Sequence, residues 1–203
     1  MKTITSAIVA AVVALGLPAS AQAKLPSLHS GKYESLMLAI SPDDRVDGYF
    51  SEQSGDAFHC SFYLKGKIGP AGLIQVQTWA DSQPLRPGVI DLTGGSVTLV
   101  IPGAREYAGC ANVLMPEIET GIEYTQTRKA DWIGLVTISA EKALLQATPE
   151  AKAKHKAYVV KGDVVGILGY QDGWAQVEFI SDQDRSFKGW INQAQYRAIE
   201  APR

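Results

Sequence analysis

The sequence predicts an all-β chain: a disulfide-linked N-terminal β-sandwich or barrel, then a small closed β-barrel. Three observations predict this class. Phe58, Cys60, Phe62 and Leu64 alternate with His59, Ser61, Tyr63 and Lys65, the period of a strand with one face on a core. Gly, Pro, Asp and Ser turn signals punctuate the chain, and helical periodicity is weak throughout. Two Gly-Trp pairs, Gly173-Trp174 and Gly189-Trp190, sit inside short alternating segments.

Residues 1–23 read as a secretory signal peptide. Met1-Lys2 is a short positive start, Ile4 to Leu17 is mostly apolar, Pro18 breaks the run, and Ala21-Gln22-Ala23 offers a small-x-small cleavage pattern. The run is too short to span a bilayer, no cysteine stands near the cleavage point, and no later run of apolar residues has spanning length. The expected location is periplasmic or secreted, with no stable membrane insertion. Removing 23 of 203 residues leaves 180, enough for two small domains. The formal charge of −2 becomes −3 once Lys2 is lost. Without a basic stripe, nucleic acid is excluded as a partner. The one basic cluster, Lys152-Ala153-Lys154-His155-Lys156, reads as a solvated loop.

The first domain is expected over 24–130. Gly31 to Ile40 is a first strand ending at Ser41-Pro42-Asp43-Asp44, where the Asp pair caps its own backbone. Val46 to Glu52 is a second, and Ser54-Gly55-Asp56 is a turn. The alternating Phe58–Leu64 segment places Phe58, Cys60, Phe62 and Leu64 on the core face. Leu73 to Trp79 follows a Gly-Pro-Ala-Gly turn. Val89 to Leu92 and Val97 to Ile101 flank the hairpin signal Thr93-Gly94-Gly95. Glu117 and Glu119 are expected on one solvated strand face.

Cys60 and Cys110 are expected to pair, as two cysteines of an exported chain most simply do. On the chain-entropy model, closing a loop of that length is worth roughly 4 kcal/mol. The alternative is a catalytic thiol, but neighbouring strand residues point to opposite faces, so His59 is badly placed to activate Cys60. The chain has no Gly-x-Ser-x-Gly elbow, phosphate loop or His-Glu-x-x-His helix. His29, His59 and His155 are too scattered for a metal site. No catalytic residue, metal or cofactor is expected.

The boundary falls between Tyr124 and Ile138, with Trp132 placed to pack between the domains. The linker lacks Pro or Gly-Ser repeats, which points to a fixed arrangement. The second domain is expected over 136–200. Ala157 to Val160 and Val164 to Leu168 are strands around the Lys161-Gly162-Asp163 turn. Asp172-Gly173 is a hairpin signal. Trp174, Gln176 and Glu178 alternate with Ala175, Val177 and Phe179. Ser181 to Ser186 reads as a loop, Trp190-Ile191 as a strand and Asn192 to Tyr196 as one helical turn.

This segment resembles the bacterial SH3 family over residues 137–199. The matching pieces, in the family's order, are Ala143 to Pro149, Tyr158 to Leu168, Asp172 to Phe179 and Lys188-Gly189-Trp190-Ile191. The resemblance implies a small barrel that acts as a binding or adaptor module, often at the cell wall, without catalytic residues. The polar insert Ser181–Ser186 departs from the pattern and bears on whether the ligand face is accessible. Candidate ligand-binding residues are Tyr158, Tyr170, Trp174 and Trp190. Trp174, in a hairpin strand, is expected in the barrel interior; Trp190 and Tyr170 are better placed to reach a surface groove. Residues 31–125 more loosely resemble exported bacterial proteins of unassigned function, through Gly31-Lys32-Tyr33, Val46–Phe50, Phe58–Leu64 and Gly109-Cys110.

The expected function is a non-enzymatic exported binding protein recognising a protein partner or a peptidoglycan peptide, with an inhibitor or immunity protein as its concrete form. A cell-wall hydrolase or hydrolase accessory, carrying a reactive Cys or an acid pair in a pocket, is the rival. A purely structural envelope protein is the third reading.

Overall fold

The computed structural model describes residues 28–69, 73–81, 83–93, 95–149 and 157–202. The expected signal segment 1–23 and the basic run 152–156 lie outside the described residues, as does Gly94.

Eight strands build the first unit: β1 (Gly31–Tyr33), β2 (Leu36–Ile40), β3 (Arg45–Ser54), β4 (Phe58–Ile68), β5 (Ile74–Trp79), β6 (Arg86–Thr93), β7 (Ser96–Val100) and β8 (Ile122–Lys129). Each pairs antiparallel with the next, and β1 closes on β8. Of the two architectures the sequence allowed, the closed barrel is the one formed, and closure leaves no free sheet edge. Alternation drives it: Leu36, Leu38, Val46, Phe50, Cys60, Phe62, Leu64, Ile74, Ile90, Val97 and Leu99 are buried in one core. Phe50 stacks on Phe62 with centroids 4.8 Å apart.

The stretch from Ile101 to Gly121 joins β7 to β8 through three 3-10 turns, Ala104–Glu106, Cys110–Asn112 and Pro116–Glu119. Its Ile101, Ala104, Tyr107, Leu114 and Ile118 enter the barrel core. Tyr107 donates to the Thr78 carbonyl at 2.8 Å. The Cys60–Cys110 disulfide fastens this stretch to β4.

Three expectations are corrected. Gly31–Ile40 is two strands, turned at Glu34-Ser35 with Glu34 in the left-handed region (φ 53), a turn without a glycine to announce it. Phe58 is exposed, because the hairpin tip extends past the core and burial starts at Cys60. Glu117 and Glu119 lie in a 3-10 turn, where Pro116 at its start favours helical geometry over a strand.

Residues 130–133 lead into the second unit: β9 (Gly134–Ile138), β10 (Lys142–Leu144), β11 (Tyr158–Val160), β12 (Val164–Gln171), β13 (Trp174–Ile180), β14 (Ser186–Asn192) and β15 (Tyr196–Ala198). The main sheet runs β14-β13-β12-β9-β15, and β10 and β11 form a separate ribbon. Val136, Ile138, Leu145, Val159, Val165, Ile167, Val177 and Ile191 make its core. Asp172 and Gly173 both have positive φ (47 and 81), the two-residue hairpin geometry that Asp tolerates and Gly, lacking a Cβ, adopts freely. The expected helical turn is the 3-10 turn Gln193–Gln195, capped by Asn192.

The units pack through the outside of the first barrel. Register sets Met37, Tyr49, Tyr63 and Trp79 side by side across β2 to β5. Tyr49 and Tyr63 centroids are 5.2 Å apart, and Tyr63 and Trp79 are 5.9 Å apart. This row joins Trp132, Leu135, Val164 and Ile199 in a third apolar cluster. Trp132 lies against Gly166, where an added Cβ would meet ring carbons at 2.4 Å. Its Nε1 donates to Glu178 Oε2 at 2.8 Å. Ser30 Oγ donates to the Trp132 carbonyl, and Lys65 Nζ to the Ile199 carbonyl.

Candidate functional site

Trp174 begins β13 and Trp190 lies on β14. Ala175, Val177 and Ile191 point into the core, so the residues between them point outward. Trp190 stands opposite Gln176, and Trp174 opposite Asn192, the next pair on the same face. The two tryptophans are therefore diagonal neighbours on the outer surface. Both are half-buried, and neither belongs to the core cluster. The expectation of Trp174 in the interior is corrected: Phe179, in the opposite phase of the same strand, packs against the core instead.

The two Gly-Trp pairs have different causes. Gly173 serves the hairpin before β13. At Gly189 an added Cβ would stand 2.6 Å from Leu145 Cβ and 2.9 Å from its carbonyl carbon, so only glycine lets the 145–149 chain cross β14 this closely. Gln146 and Trp190 exchange both backbone hydrogen bonds, at 3.0 and 2.8 Å. The chain then reaches Thr148 and Pro149. These, with Gln171, Asp172 and Trp174, line a groove of about 320 Å3.

Tyr158 and Tyr170 do not join this groove. Tyr158 is half-exposed on the β10–β11 ribbon, where Lys142 Nζ sits 3.9 Å from its ring centroid. Tyr170 pairs with Ala175 across β12 and β13, so it takes the face opposite Trp174, and it is 63% exposed.

The polar insert lies elsewhere too. Ser181–Arg185 is the β13–β14 hairpin loop, closed by Ser181 N to the Arg185 carbonyl at 3.0 Å. Asp184 meets Lys32, and its carbonyl accepts from Arg128 at 2.7 Å. The Lys32 hydrogen bond holds the Asp184 carboxyl below its ordinary value. The insert is thus a tether to the first unit, and it lines no part of the Trp174 groove.

Sequence reasoning missed a second, wider cleft of about 780 Å3 between the units. Met37, Tyr49, Ser51, Glu52 and His59 of the first unit face Asp163, Phe179, Ile180 and Asp182 of the second. Burial, reinforced by the negative charge of Asp182, pushes the Asp163 carboxyl up, while the Val160 amide pulls it down.

Chemistry is sparse. Cys60 and Cys110 are bonded to each other and buried, so no thiol is available as a nucleophile. His59 points to solvent while Cys60 points to the core, as strand alternation requires. His59 Nε2 is 3.0 Å from Ser51 Oγ. Among the described residues, no group of three or more His, Cys, Asp or Glu is placed to hold a metal ion. No described helix is long and apolar enough to cross a membrane.

No family model matches the chain, and no curated protein or solved structure is similar to it.

Proposed function

We propose that this chain is an exported, non-enzymatic binding protein whose second unit is a bacterial SH3-like module. Its ligand is a protein partner or a cell-wall peptide, and the protein partner is the favoured one. The concrete form is an inhibitor or immunity protein that blocks a wall- or membrane-degrading toxin.

One observation carries the reading: Trp174 and Trp190 sit outside the core, half-buried, as diagonal neighbours on one face, with Pro149 beside Trp174. Two large aromatics outside a core cost solvation without adding core packing, and rigid aromatic area of this kind is what binding surfaces use. The Cys60–Cys110 bond supports an oxidising, extracytoplasmic compartment, in line with the leader-like residues 1–23.

The test is capture from periplasmic extract on the immobilised chain, in parallel with Trp174→Ala and Trp190→Ala. The reading expects one protein retained by the parent chain and lost by both variants. Recovery of peptidoglycan fragments alone would sink the protein-partner form. Equal retention by parent and variants would remove the tryptophan face from the site.

A further inference from the structure

The cleft between the units has two properties that together specify an occupant. Its floor is apolar and partly aromatic, with Met37, Tyr49, Phe179 and Ile180 half-buried along it. Its rim is anionic: Glu34, Glu52, Asp163 and Asp182 line it, and Lys32 is the one lysine among the lining residues. Lys32 is already committed to Asp184. Among the described residues, no ion pair reaches any of the four rim carboxylates. Glu34 accepts from the Thr125 amide and Asp163 from the Val160 amide, which are neutral donors that leave the charge uncompensated.

We propose that this cleft docks a cationic segment of a protein partner, one that lays arginine or lysine side chains between apolar ones. The proposal goes beyond the Trp174 face: it adds a second docking surface, with no lining residue in common with the Trp174 groove. Long basic side chains suit such a site because their stems cover apolar surface while their heads reach the rim. Tyr49 and Phe179 add ring faces for a guanidinium. A bare metal ion does not suit it, since the described carboxylates are not grouped for coordination. An acidic segment or nucleic acid would meet like charge.

Both walls are held in advance. Trp132 bonds to Glu178 beneath one side, and the Asp184 loop is pinned to Lys32 and Arg128 at the other. A cleft fixed before binding loses little ordering entropy when it is filled.

The experiment is an amide-resolved NMR titration of the full chain. The ligand is an acetylated, amidated octapeptide of alternating arginine and leucine, with its glutamate–leucine counterpart as control. The basic peptide should shift the amides of Ser51, Asp163 and Ser181, and the shifts should weaken with salt. E52Q/D182N, both exposed positions, should raise the apparent Kd about tenfold. An equal response to the acidic peptide overturns the proposal, as does unchanged affinity in E52Q/D182N or a response confined to Gln171–Trp174. Failure of the protein-partner reading shows separately, as capture of peptidoglycan fragments alone, and does not depend on this titration.

Discussion

Trp132→Phe should weaken the joint between the two units by a calculable amount. Trp132 is 1% exposed and Glu178 is 4% exposed, and they share one hydrogen bond of 2.8 Å. Phenylalanine keeps most of the ring packing against Gly166 and deletes the donor. Glu178 retains Ser186 Oγ at 2.5 Å on its other oxygen and Lys188 at 3.8 Å, so it is only partly abandoned. Hydrogen bonds to charged groups contribute about 1.5–3 kcal/mol, and for a chain of this size that corresponds to a Tm loss of about 3–12 °C. The clean measurement is a double-mutant cycle of W132F and E178L, followed by urea denaturation with circular dichroism. A coupling energy of at least about 1 kcal/mol is expected; below about 0.5 kcal/mol the bond does not hold the joint, and the reasoning fails. Calorimetry adds a second criterion. The parent should unfold in one transition, because the third apolar cluster spans both units. Trp132→Ala, which also removes the ring at a further cost of several kcal/mol, should split that transition in two.

Gly166→Val would place a side chain 2.4 Å from the Trp132 ring and should destabilise by about 2 kcal/mol or more, whereas Gly169→Ala, with open space, should change little; thermal scans of both check this. C60A/C110A should lose roughly 4 kcal/mol in urea titration, and the native parent chain should show no maleimide labelling. Burial raises the Asp47 carboxyl above its ordinary value of 3.8, against the pull of Lys65 and the Leu135 amide. The folded chain therefore keeps that proton longer than the unfolded one, so the contribution of Asp47 is fully present below the unfolded value and is lost as pH rises through the folded one. The stability of D47N relative to the parent should rise as pH increases upward from 3.8, and a flat or falling difference would contradict this assignment.

What could be read from the chain was local. Alternation over Phe58–Leu64, the Asp172-Gly173 turn and the cysteine pair each need only neighbours in sequence or compartment chemistry, and each appears in the fold. Trp132 opens the apolar run that follows the polar stretch Thr125 to Lys129, and it packs between the units. The outer row Met37–Tyr49–Tyr63–Trp79 could not be read. Each member occupies a strand position that looks solvent-facing by itself, and only barrel register aligns them. The interdomain cleft inherits that blindness. Trp174 was misplaced for a related reason: β13 carries an aromatic in each phase, Trp174 and Phe179, so periodicity cannot choose which faces the core.

The filled interiors limit where binding can occur. Phe50, Phe62, Tyr107 and Ile118 occupy the first barrel, and the 3-10 stretch is fastened into it by the disulfide. An eight-stranded barrel has room for side chains or for one small ligand, and here the side chains take it. Under the proposed binding function, recognition then uses outer surfaces. The outer face of β2 to β5 has its aromatic row packed against the second unit, with Met37 and Tyr49 reaching the cleft and Tyr63 and Trp79 lining a smaller pocket beside β15. The way the second unit sits therefore decides which part of the first remains open. The Asp184 loop is one of the contacts that sets this seating. Shortening that loop should alter the cleft while sparing the Trp174 groove, so the two surfaces can be separated in one chain.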